Sequence, residues 1–182
     1  YNDAVVLRRI NPAYLLMVLL ALAAPLCIHA AVARPTSVEG LTRASSAVLR
    51  GHVRSMEARW TPDGKRINTW VTLQPAEVWK GEVPDEVQVL VPGGTVGDLI
   101  QKVSGAPRFA VGEEVIVFLE REGIRHFRVS GLALGKFRLE KGRAVPDLEG
   151  IAFVGEGPPG AERRVEAMAL AELRSRVAVI AK

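Results

Sequence analysis

From Ala47 onward apolar and polar positions alternate with a period of two, the spacing of half-buried strands. In Ala47-Val48-Leu49-Arg50-Gly51-His52-Val53-Arg54-Ser55-Met56-Glu57, the set Leu49, Gly51, Val53 and Ser55 falls on one face and Arg50, His52, Arg54 and Met56 on the other. The glycine predicts a bulge or sharp bend, the device that turns a strand around a barrel corner. Pro62-Asp63-Gly64 is a turn with a mechanism: Pro presets φ, Asp bonds nearby backbone and Gly accepts a positive φ. A hairpin is therefore expected, returning as Asn68 to Trp79, rich in β-branched and aromatic residues. Pro75 has no N–H for a ladder and marks an edge or a break in pairing. Glu86 to Val91 alternates again with Val87, Val89 and Val91 on one face, and Glu114 to Glu120 is a nearly continuous apolar run, the pattern of a central strand. Arg121-Glu122-Gly123 turns that strand into Arg125 to Val129. Gly135 to Glu140 supplies a further strand, and Lys141-Gly142-Arg143 leads to a short one at Ala144-Val145.

Helical signals sit at both ends of this β region. Thr36-Ser37-Val38-Glu39 places a hydroxyl three residues before a glutamate, a capping box opening a short helix over about residues 37 to 45. Pro158-Pro159-Gly160 breaks the strand pattern. In Ala161 to Ile180, Val165, Met168, Ala169, Leu173 and Val177 then recur at three and four residues, predicting an amphipathic helix packed on the sheet. Residues 92 to 110, with Pro92, Gly93, Gly94, Gly97, Gly105 and Pro107, form a long connection of the kind that carries function.

The expected fold is mostly β: a closed or nearly closed barrel of five to six strands, a short N-terminal helix and a C-terminal amphipathic helix. Closure removes the exposed edges that an exported β-protein must protect. The stretches Ala47 to Val53, Glu77-Val78-Trp79-Lys80-Gly81, Val87-Gln88-Val89 and Val111 to Leu119 carry a resemblance. The chain resembles the netrin and tissue-inhibitor-of-metalloproteinase type of OB barrel. With Gly135-Lys136-Phe137 added, it is more closely similar to uncharacterised exported bacterial proteins of that pattern, over about residues 37 to 141. The resemblance implies an OB-like barrel. The animal inhibitors of this class act through an N-terminal cysteine that chelates the protease zinc, and no cysteine stands in the corresponding place here, so that mechanism does not carry over.

The N-terminus changes the picture of where the protein works. Arg8 and Arg9 precede the uncharged run Ala13 to Ala24, and Ala31-Val32-Ala33 before Arg34 has the small-x-small form of a cleavage site. Residues 1–33 are thus expected to be a signal peptide, residues 34–155 the barrel and residues 156–182 the C-terminal helix. The apolar run is shorter than the roughly 20 residues needed to span a bilayer; if left uncut it would instead tether the barrel to the membrane, the alternative to a periplasmic or secreted protein. The single cysteine, Cys27, sits in a poor lipobox and lies before the expected cut. The 182 residues are enough for one domain with a real core, and the formal net charge of +4 is mild for nucleic-acid binding.

No constellation announces catalysis. His52 and His126 lie on separate strands without a neighbouring ligand, no G-x-S-x-G elbow exists around Ser104-Gly105, and no cofactor or metal is expected. Gly93-Gly94-Thr95-Val96-Gly97-Asp98 invites a phosphate-loop reading but lacks the following Lys-Ser/Thr and the βα context. Trp60, Trp70 and Trp79 with Arg54, Arg59, Lys65 and Arg66 offer an aromatic and basic surface, weighed against packing tryptophans beside a solvated hairpin. The expected contact residues are Gly93, Gly94, Thr95, Asp98 and Arg108 on the 92–108 loop, with Trp60 and Arg59 on the first hairpin. The expected function is a non-enzymatic binding module for a protein or glycan of the envelope or extracellular space, with no nucleic acid as partner. A protease-inhibitor-like protein that docks a loop without chelating zinc, and a small hydrolase whose site forms only in the fold, are the alternatives.

Overall fold

The computed structural model describes residues 31–33, 37–124, 126–148, 151–153 and 165–181. Most of the expected signal peptide (residues 1–30), Thr36, Arg125, the Pro158-Pro159-Gly160 break and residues 161–164 lie outside these. In chain order the elements are β1 (Ala31–Ala33), α1 (Val38–Ala44), β2 (Ala47–Trp60), β3 (Ile67–Lys80), β4 (Val87–Pro92), β5 (Gly94–Val96), β6 (Leu99–Gln101), β7 (Glu114–Glu122) and β8 (His126–Val129). A 3-10 turn (Leu132–Gly135) leads to β9 (Lys136–Glu140), β10 (Arg143–Pro146), β11 (Ile151–Phe153), β12 (Met168–Ala169) and α2 (Leu170–Ile180). The chain is mostly β. One eight-stranded sheet runs β12-β10-β9-β7-β2-β3-β4-β8, and β7 also pairs with β8, so β2, β3, β4, β8 and β7 form a partly closed ring. The closing contact between β4 and β8 is parallel and rests on one residue pair, Val89 with Phe127. Apart from this sheet, β1 pairs with β11 and β5 with β6.

Two cores explain the sequence pattern. Leu49, Val53, Val71, Leu73, Val87, Val89 and Phe127 fill the inside of the ring, while Val38, Leu41, Val48, Phe137, Leu173 and Val177 join the two helices to its outside. Strand β7 serves both, with Val115, Val117 and Leu119 inward and Ile116 and Phe118 outward. This is why its alternation is lost: a strand covered on both faces has no polar side. Each such side chain contributes about 2 kcal/mol of burial before chain entropy is counted.

The bend predicted at Gly51 is real. The register of β2 on β3 shifts there, and a Cβ on Gly51 would lie 2.5 Å from the Gln74 carbonyl oxygen. Pro75 stands opposite Gly51, beyond the last residue pair of β3 with β4, so its missing N–H breaks no ladder.

Three expectations are corrected. Beyond Val53, Arg54 is an extra residue with no opposite number in the register of β3, and this bulge inverts the alternation. Met56, Ala58 and Trp60 stand opposite Val71, Thr69 and Ile67 on the inner face, and Ser55 is moved off it. At the start of α1, Ser37 is the cap, its Oγ accepting the Gly40 N–H at 3.1 Å, and Glu39 reaches across to Arg176 of α2 at 2.7 and 2.9 Å. The C-terminal helix begins at Leu170. Met168-Ala169 is instead a short strand on β10, because an extended segment both pairs that edge and drops Val165 and Met168 into the outer core. Ala169 is exposed, off the buried stripe of Leu173 and Val177. Among the described residues no helix is long and apolar enough to cross a membrane.

Candidate functional site

A cleft of about 600 Å³ opens at one mouth of the ring, beneath the long connection between β4 and β7. Its floor is Met56, Thr69, Val71 and Val91, and its wall runs from Gln101 to Phe109. The bulge at Arg54 creates this floor, because without it Met56 would point outward.

The connection is pinned on both flanks. On the near side the Gly93 N–H donates to the Ile67 carbonyl at 2.8 Å, Thr69 Oγ1 donates to the Gly93 carbonyl at 2.7 Å, and the Ile67 N–H donates to Gln101 Oε1 at 2.7 Å. Gly94 has φ +146°, and a Cβ there would lie 2.4 Å from Thr69 Oγ1 and 2.9 Å from the Ala58 Cβ. The two glycines therefore let the chain lie flat on the hairpin, and the Gly93 N–H is already used within the fold. Gly97 and Asp98 make the two-residue turn between β5 and β6, where Val96 pairs with Leu99.

On the far side the anchor is Lys136, only 1% exposed. Its Nζ donates to both Glu113 carboxylate oxygens, at 2.7 and 2.9 Å, and to the Arg108 carbonyl, and it stands 4.8 Å above the centre of the Phe109 ring. Burial pushes the Lys136 ammonium below the usual lysine range, and the Glu113 carboxylate works against that fall. The Ala133 N–H donates to the Gly105 carbonyl at 3.0 Å, and Val53 exchanges hydrogen bonds with Gly112 and Glu113 at 2.8 and 2.9 Å. The Arg108 side chain is turned away to Asp147 at 2.8 Å.

Of the residues singled out from the sequence, Gly93, Gly94 and Arg108 line the cleft, while Thr95 and Asp98 sit on the projecting β5–β6 hairpin outside it. Arg59 is paired with Glu57 beside the cleft, and Trp60, 44% exposed, extends the inner face at the end of β2. The tryptophans do not form one platform. Trp70 and His126 stack edge to face with ring centres 5.2 Å apart, and Trp79 packs on the outer core with Nε1 donating to Glu77. His52 lies 3.9 Å from Glu114, whose carboxylate is held by Arg50 at 2.6 Å, and neither histidine lines the cleft. Among the described residues no three His, Cys, Asp or Glu side chains gather where a metal ion could bind.

Thr69, Gln101, Phe109, Glu113 and Lys136 are the residues that sequence reading missed. An aromatic inside a Gly- and Pro-rich connection is the one available signal, and it points to Phe109. Thioether, methyl and ring surfaces with hydroxyl, amide and ammonium groups at the rim suit contact with another molecule; among the described residues no carboxylate, imidazole or thiol lines the cleft. The chain matches no protein-family model and no curated protein.

Proposed function

We propose that the chain is an exported, non-enzymatic binding module on an OB-type barrel, and that it takes a segment of an envelope or extracellular protein or glycan into the cleft at the barrel mouth. The ring order β2-β3-β4-β8-β7, returning to β2 with β4 and β8 parallel, supports the OB reading. The apolar run after Arg8 and Arg9 supports export. The observation that carries the function is the cleft itself: about 600 Å³, within the ordinary range of ligand sites, apolar in its floor and walled by a connection tied down at both flanks. A preformed wall spares the partner the entropy of ordering it.

The exposed Leu99 and Ile100 on β6 of the β5–β6 hairpin favour a second reading, a hairpin that inserts into a groove of the partner, as an inhibitor would. Paired variants separate the two. Met56→Arg and Val103→Asp charge the cleft, whereas Leu99→Asp and Ile100→Asp charge the exposed face of β6. Loss of the partner from the purified envelope complex with the first pair alone supports the cleft. Loss with the second pair alone supports loop insertion.

A further inference from the structure

Among the described residues, the outer edge of β2 is open beyond Val53. β7 pairs with β2 only from Ala47 to His52, and the chain before β7 leaves the edge at Gly112. From Met56 to Trp60 no other described strand pairs on that side. The direction of the backbone groups there follows from the hairpin. The Thr61 N–H donates to the Arg66 carbonyl, whereas the N–H and C=O of Ile67 face away from β2, toward Gln101 and Gly93. Ile67 and its partner Trp60 are therefore a pair that exchanges no hydrogen bonds, and the alternation of an antiparallel ladder makes Ala58 with Thr69 and Met56 with Val71 the same. The N–H and C=O groups of Met56, Ala58 and Trp60 consequently point out from the sheet edge.

We propose that a second copy of this chain pairs antiparallel with this edge, with Ala58 opposite Ala58 on a twofold axis. That register joins outward groups to outward groups at every position: Ala58 to Ala58, and Met56 to Trp60 in both directions. It also sets Glu57 opposite Arg59 of the other copy, twice, in the pairs whose side chains stand closest. Glu57 and Arg59 pair with each other within the single chain yet stay 61% and 59% exposed, so each can also face its opposite charge on a neighbour, and the pairing within one chain is exchanged for pairing across the axis. Met56 and Trp60, 37% and 44% exposed, meet across the axis on the cleft face and lose apolar surface to water. The charges select this register. Sliding by two residues brings Glu57 against Glu57 or Arg59 against Arg59, and sliding by one sets outward groups against inward ones. Charged residues usually guard an open edge; here their order makes the edge complementary to itself. The dimer would hold two clefts side by side, since Met56 belongs to the cleft floor.

The test is sedimentation of the full purified chain over a range of concentrations. The expected result is a monomer–dimer equilibrium that Glu57→Arg or Arg59→Glu each weakens by about tenfold or more, and that the double exchange Glu57→Arg/Arg59→Glu restores. Both positions are exposed, so the thermal midpoints of the single variants should stay near that of the parent. A chain that remains monomeric at every concentration, or a dimer indifferent to Glu57→Arg, overturns the proposal. Neither result bears on whether a ligand enters the cleft, so the proposed function stands or falls separately.

Discussion

Replacing Lys136 by Met keeps the length of the side chain and removes the charge that ties the connection to the sheet. Lys136 is 1% exposed and Glu113 14% exposed, so the pair is nearly out of water. Removing one member of a buried ion pair costs about 3–5 kcal/mol, chiefly because the other charge is left behind. Two effects pull toward the lower end: water can reach Glu113 at its 14% exposure, and the variant no longer confines an ammonium whose burial already disfavours its charge. Against them stands the Arg108 carbonyl, which loses its donor. The expected loss is about 3 kcal/mol, which in urea lowers the unfolding midpoint by roughly 1–2 M. The double variant Lys136→Met/Glu113→Gln removes the stranded carboxylate and should recover more than half of that loss. Hydrogen exchange across Gly105 to Gly112 should quicken in the single variant before global unfolding does. A single variant within about 0.5 kcal/mol of the parent, with unchanged exchange in that segment, would refute the reasoning.

Further outcomes follow from the same geometry. Two hydrogen bonds from Arg176 hold the Glu39 carboxyl at about 2 against an ordinary value of 4.5. Because the folded value is the lower one, the stabilisation is complete above about 4.5 and is lost as pH falls toward 2. With Glu39 29% exposed, its worth is about 1–2 kcal/mol after screening, so Glu39→Gln should flatten acid unfolding in that window while leaving the alkaline side unchanged. Gly51→Ala puts a Cβ 2.5 Å from a backbone oxygen and should cost about 2–4 kcal/mol in denaturant melts, whereas Gly64→Ala, with nothing within 4 Å, pays only the strain of its positive φ, about 1 kcal/mol.

How much of this was legible in the sequence divides along physical lines. Strands such as Val87-Gln88-Val89-Leu90-Val91 announce themselves because one face meets the core and the other does not, and the turn at Pro62-Asp63-Gly64 is chemistry confined to three residues. The unbroken run of β7 was legible as a central strand, though only the structure shows that two separate cores cause it. The face of Met56 was not legible, since one extra residue at Arg54 inverts every later position and a bulge leaves no periodic mark of its own. The start of α2 was misplaced because Val165 and Met168 satisfy a helical spacing equally well when an extended segment lays them on the outer core. The connection from residue 92 to residue 110 was legible as a long Gly- and Pro-rich segment between strands, but the way it is anchored to the sheet was not. Lys136 sits in an alternating strand where charge predicts exposure, and its partner Glu113 lies 23 residues earlier. Nothing local records such a pairing.

The central claim is that the partner enters the cleft at the barrel mouth. It is tested most directly by placing a photo-crosslinking side chain at Val103 on the cleft wall, and separately at Val179 on the exposed face of α2, in cells that make the protein. The account predicts a discrete crosslinked species from Val103 that Met56→Arg abolishes, and none from Val179. Equal capture at both positions, or capture at Val103 that survives a charge on the cleft floor, would contradict it.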